Sequence, residues 1–123
     1  MATRKRSKGE PVLLPRLRVV CGREIALGPG KVELLALVQE TGSITEAAAR
    51  MDMSYMRAWT LIKTMNACFR EPLVRAARGG KERGGATLTE TGKTALALYH
   101  ELEDRSRASM EDIWRQLRLL LKA

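Results

Sequence analysis

A chain of 123 residues, 45% hydrophobic and 29% charged, has the length and make-up of one soluble domain. Aromatic residues are 4%, so the core must rest on Leu, Ile, Val, Met and Ala. The formal net charge of +8 creates a field that attracts polyanions, nucleic acid foremost; a basic but otherwise ordinary surface is the plainer reading of the same number. Two cysteines, Cys21 and Cys68, and a single histidine, His100, argue against a structural zinc site and a supported Ser-His-Asp triad. No catalytic residues, metal ligands or cofactor site are expected. Cys21 sits in an apolar run and Cys68 near the end of an apolar helix, and both read as buried small hydrophobes in a reducing compartment. No apolar stretch follows the basic N-terminus, and no run approaches the ~18 apolar residues of a membrane span. The expectation is a cytoplasmic protein with no membrane contact.

Residues 1–15 carry Arg4, Lys5, Arg6 and Lys8 and read as a flexible basic arm. Such an arm is either a solvated tail or one that lies along DNA. Leu17–Cys21 and Ile25–Leu27, on either side of Gly22-Arg23-Glu24, read as a small hairpin. Gly28-Pro29-Gly30 breaks the chain before a helix over about Lys31–Glu40, which Gly42 is placed to stop. Val32, Leu34, Leu35, Leu37 and Val38 cover a wide arc of that helix, so one side is expected in the core and the other, with Leu34 and Leu35, against a second subunit.

Ser43-Ile44-Thr45-Glu46 has the pattern of a reciprocal capping box ahead of a short helix with Ala47, Ala48 and Ala49. Small side chains there allow a second helix to approach closely. After the tight connection Met51-Asp52-Met53, Ser54 caps a longer helix over about Tyr55–Phe69. Ala58, Ile62, Met65 and Phe69 share its apolar face, with Trp59 at the border. Ser54, Tyr55, Met56, Arg57, Thr60 and Lys63 are left on or beside the polar face as candidate DNA-reading residues. A short helix, a tight turn and a capped second helix describe a helix-turn-helix, although a pair of core helices gives a similar pattern.

Pro72–Arg75 and Ala86–Leu88 read as strands around a glycine-rich cationic tip. This is the composition of a wing, with Arg75, Arg78, Gly79, Gly80, Lys81 and Arg83 as candidate phosphate contacts. A nucleotide-phosphate cradle needs a helix directly after the loop and a Lys-Ser or Lys-Thr pair, and neither is present. Thr89 caps a last helix that extends to about Leu121. In it Leu96, Tyr99, Leu102, Met110, Ile113, Leu117 and Leu120 recur near heptad spacing, interrupted at Ser106. A stripe this long predicts a homodimer, with Tyr99, Leu102, Ile113 and Leu117 in its interface; a helix folded back on its own domain is the rival.

The run Gly42–Ala48, then Ser54-Tyr55, Ala58-Trp59, Ile62 and Met65-Asn66, resembles the N-terminal DNA-binding domain of the ModE family of molybdate-responsive repressors. So does Leu73-Val74, Gly79-Gly80-Lys81, Gly84-Gly85-Ala86, Leu88-Thr89 and Gly92, and the wider layout is similar to that of LysR-type regulators. The resemblance spans about Leu17–Leu102. One departure is Ala76, where LysR-like wings often carry arginine; Arg75 and Arg78 stand nearby. The resemblance implies a mainly α winged helix-turn-helix with small β-hairpins, binding an inverted-repeat operator in double-stranded DNA as a dimer. The expected organisation is an arm at 1–15, a winged helix-turn-helix at 16–88 and a dimerisation helix at 89–123. ModE binds molybdate in a separate C-terminal region, so no molybdate site is expected on this chain. A protein-interaction module and an oxyanion sensor built on the same winged helix are the alternatives.

Overall fold

One apolar helix, α1 (Pro29–Thr41), forms the axis of the fold in the computed structural model, which describes residues 9–76 and 85–122. Pro29 starts α1, where its missing N–H costs nothing. Gly42 ends it at φ 68°, a left-handed conformation suited to glycine, and its N–H donates to the Val38 carbonyl at 2.8 Å. The antiparallel hairpin β1 (Val19–Cys21) and β2 (Glu24–Leu27) precedes α1. After it come α2 (Ile44–Arg50), α3 (Tyr55–Cys68), a second antiparallel hairpin of β3 (Val74–Ala76) and β4 (Ala86–Leu88), and α4 (Glu90–Arg118).

Helices α2, α3 and α4 and strands β2 and β4 all pack on α1. Consequently Val32, Leu34, Leu35 and Val38 are all buried within the chain itself. This corrects the expectation for Leu34 and Leu35: both have no exposed surface and cannot face a second subunit in this fold. The wide apolar arc is real, but its second side is covered by α4 and the β3–β4 hairpin. Ala47 and Ala58, also without exposed surface, sit in α2 and α3, which pack on each other, as small residues at a close helix approach should. Ile62 and Met65 of α3 are buried too, each contributing about 1.5–3 kcal/mol of apolar burial.

Helix α4 divides in two along its length. Gly92, Leu96 and Tyr99 are buried, with the Tyr99 hydroxyl donating to the Leu17 carbonyl at 2.7 Å. Tyr99 is therefore a core residue, and its assignment to a dimer interface is also corrected. Beyond it Leu102, Ile113 and Leu117 are exposed, at 52%, 70% and 51%. Ion pairs such as Arg105–Glu101 at 2.7 Å lace other positions of the helix, and at such exposure each contributes little. Glu10 meets Arg118 at 3.5 Å, so the segment from Glu10 to Leu17 runs back along α4. Of the basic arm, Arg4, Lys5, Arg6 and Lys8 lie outside the described residues.

The cysteines differ from expectation. Cys21 is exposed and Cys68 half-buried, and the Cys21 thiol approaches the Cys68 carbonyl at 4.0 Å. Burial and the neighbouring Cys21 push the Cys68 thiol up from its ordinary range. Each is the last residue of its element, β1 for Cys21 and α3 for Cys68, where apolar neighbours in sequence do not secure burial.

Candidate nucleic-acid interface

Two capped helices and the turn between them place the site. Ser43 takes an extended conformation and its Oγ accepts from the Glu46 N–H at 3.1 Å. The reciprocal half of the expected capping box is absent, because the Ser43 N–H donates instead to Thr41 Oγ1 at 3.2 Å. Ser43 is also buried and bridges to Gly85, while the Ala86 N–H donates to the Gly42 carbonyl at 3.0 Å. The α1–α2 corner thus extends the β3–β4 hairpin and leaves Glu46 no reason to fold back.

The turn between α2 and α3 is tight. Asp52 takes φ 56°, and the Met53 N–H returns to the Ala48 carbonyl at 3.0 Å. Among non-glycine residues, Asp and Asn tolerate that region best. Ser54 then caps α3, its Oγ accepting from the Arg57 N–H at 3.1 Å, a bond worth about 1 kcal/mol. Cap and core together fix how α3 is rotated: Ala58, Ile62 and Met65 face inward.

The opposite face carries the sequence-derived candidates. Ser54, Tyr55, Met56, Arg57, Thr60 and Lys63 are all exposed, Tyr55 at 42% and Met56 at 65%. Thr60 Oγ1 donates to the Met56 carbonyl at 2.8 Å, which spends its proton and leaves its oxygen free to accept. Lys63 sits further along, lining a shallow concavity with Thr64, Ala67, Cys68, Cys21 and Glu24. The face therefore offers cationic donors, hydroxyls at Ser54, Tyr55 and Thr60, an aromatic ring and a thioether. That mixture suits base edges and phosphate oxygens.

The β3–β4 hairpin is joined to the last turn of α3, where Asn66 bonds to Val74. Arg75 is exposed on β3 and pairs across the ladder with Thr87, also exposed, a residue that sequence reasoning did not single out. Its signal was its place in the alternating pattern of β4, where Ala86 and Leu88 are buried. Of the other wing candidates, Arg78, Gly79, Gly80, Lys81 and Arg83 lie outside the described residues. Arg50 at the end of α2 is cationic and near the turn, but pairs with Glu40 at 3.1 Å. Among the described residues no group of His, Cys, Asp and Glu could hold a metal ion, and no helix is long and apolar enough to cross a membrane.

Comparisons with known proteins agree with this architecture. The chain is 38% identical over 103 residues to the molybdenum-pterin-binding protein MopB of Rhodobacter capsulatus, covering 84% of this chain and 38% of MopB. It is 36% identical over 92 residues to the molybdenum transport protein ModE of Azotobacter vinelandii, covering 75% of this chain and 34% of ModE. The resemblance to ModE read from the sequence is thereby borne out, over a chain that spans little more than a third of either relative. Among solved structures, the LysR-family protein DarR of Vibrio fischeri, determined in complex with DNA, superposes with a TM-score of 0.54. That match, at 18% identity, covers 72% of this chain and 29% of DarR, and shows the fold to be the winged helix-turn-helix expected. The model of the bacterial regulatory helix-turn-helix proteins of the lysR family matches residues 30–93, from the start of α1 through both candidate helices and the hairpin to the first turn of α4, and the chain belongs to that family.

Proposed function

We propose that the chain is a sequence-specific DNA-binding transcription regulator that acts in the cytoplasm as a homodimer on an inverted-repeat operator. The observation that carries this reading is the exposed face of α3, capped at Ser54, together with the exposed Arg75 and Thr87 on the hairpin that Asn66 ties to the last turn of α3. Tyr55, Met56, Arg57, Thr60 and Lys63 enter the major groove, where a good base contact discriminates by roughly 1–3 kcal/mol. Arg75, with Arg78, Lys81 and Arg83 from the connecting segment, neutralises phosphates, and the net charge of +8 supplies attraction before contact. Occupancy of the operator is the mechanism, and no bond is made or broken.

The exposed Leu102, Ile113 and Leu117 support a dimer made by the distal part of α4. With Leu34, Leu35 and Tyr99 inside the core, the interface lies beyond Tyr99. Selection of bound sequences from random duplexes tests the whole reading. The expected result is an enriched palindrome whose half-sites lie about one helical turn apart. Absence of any enriched motif refutes it. Ile113→Glu with Leu117→Glu should convert the dimer to a monomer by sedimentation and split the palindrome into isolated half-sites. Exchange of sulfate for molybdate at fixed ionic strength should leave affinity unchanged.

A further inference from the structure

The inner edge of β3 has a partner that is not a strand. Asn66, on the last turn of α3, accepts from the Val74 N–H at 3.2 Å through Oδ1 and donates from Nδ2 to the Val74 carbonyl at 3.1 Å. The same Oδ1 accepts from the Leu73 N–H at 2.8 Å. Both polar backbone groups of Val74 are thus met by one carboxamide, as a neighbouring strand would meet them with a peptide. The other edge of β3 pairs with β4, with Arg75 opposite Thr87. Asn66 is partly buried, and Leu73 and Val74 are buried, so these bonds are shielded from competing water.

We infer that Asn66 is a positioning residue for DNA binding, holding β3, and with it Arg75, at a set distance from the DNA-reading face of α3. The inference rests on the reading of Arg75 as a phosphate contact. A carboxamide alone among side chains of this length both accepts and donates in one plane. Leucine is close in size but does neither, and aspartate accepts without donating. The residue lies at the opposite end of α3 from Ser54, Tyr55 and Arg57. Its loss therefore leaves the rotation of the reading face, set by Ala58 and Ile62, unchanged.

The test is a pair of double-mutant cycles on operator affinity, Asn66→Leu with Arg75→Ala and Asn66→Leu with Arg57→Ala, read well below each variant's unfolding midpoint. Asn66→Leu should weaken binding about tenfold with the base preference kept, and Arg75→Ala should then cost little more, since residues linked through one shared stretch of backbone couple. Arg57→Ala should cost the same in either background. Asn66→Gln, which keeps the amide, should restore part of the loss. If Asn66→Leu does not fold, Asn66→Ser, which keeps an acceptor, takes its place in both cycles. Wild-type affinity in the Asn66 variant, or equal coupling to Arg57 and Arg75, overturns the inference. So does an Arg75→Ala protein that binds as wild type. A wild-type chain that enriches no duplex at all defeats the DNA reading itself, which separates the two failures.

Discussion

Gly92 lies in the first turn of α4, where its N–H donates to Thr89 Oγ1 at 2.9 Å. A Cβ there would stand 2.1 Å from the Leu73 carbonyl oxygen, 3.0 Å from its carbon and 3.2 Å from its Cα. All three are backbone atoms, so no side chain can swing aside. Gly92→Ala must move α4 away from Leu73 by on the order of 1 Å before contact becomes ordinary. That movement breaks two bonds that seat the helix, Thr89 N–H to the Leu73 carbonyl at 2.9 Å and Thr89 Oγ1 to the Pro72 carbonyl at 2.6 Å. Overpacking costs about 1–3 kcal/mol and the two bonds about 1 kcal/mol each. Alanine returns about 1 kcal/mol of helix propensity. The net loss is about 2–4 kcal/mol, roughly 8–16 °C in unfolding midpoint for a domain of this size. Gly30→Ala is the control, because nothing lies within 4 Å of its Cβ position and propensity alone should act. Thermal unfolding followed by circular dichroism reads both. A Gly92→Ala midpoint at or above that of wild type refutes the close approach of α4 to Leu73.

Other outcomes follow from single positions. Asp52, at φ 56°, should accept glycine with a gain of up to about 1 kcal/mol, whereas Asp52→Val should lose about 1–2 kcal/mol, both read by urea denaturation. Tyr99→Phe should cost about 1 kcal/mol through the lost bond to Leu17. Burial first, then Glu103, push the Tyr99 phenol above its ordinary value against the opposing pull of Arg18. The neutral phenol therefore stabilises the fold fully below about pH 10, and that contribution is lost as pH rises through the elevated folded value. Wild type should lose stability in that alkaline window more steeply than Tyr99→Phe, and parallel profiles would contradict the assignment.

Much of the candidate interface was legible because its determinants are local. The caps at Ser43, Ser54 and Thr89 act within three residues, and the spacing of Ala58, Ile62 and Met65 sets which way α3 faces. The exposed candidates on α3 follow from those two facts. What escaped depends on contacts distant in the chain. Leu34 and Leu35 look available for a second subunit because an apolar arc says nothing about what covers it; here α4 and the hairpin do. Tyr99 matches a heptad seam, but Leu17, 82 positions away, is its partner. The Ser43 box is half made because Thr41 outcompetes Glu46 for one N–H. Asn66 had no signal beyond its place in the resemblance, since its work is done on residues seven and eight positions further along.

The contact between Glu10 and Arg118 has a practical consequence for handling the protein. It brings the two ends of the described chain together at the distal tip of α4. With α4 29 residues long and a rise of about 1.5 Å each, that tip lies roughly 40 Å from the turn where α4 meets the hairpin. A fluorophore or surface tether joined near either residue is thereby held at the far end of the molecule from α3 and Arg75. Immobilisation through Glu10 or Arg118 leaves the exposed face of α3 away from the support, whereas attachment through Cys21 or Cys68 sets the support against the last turn of α3.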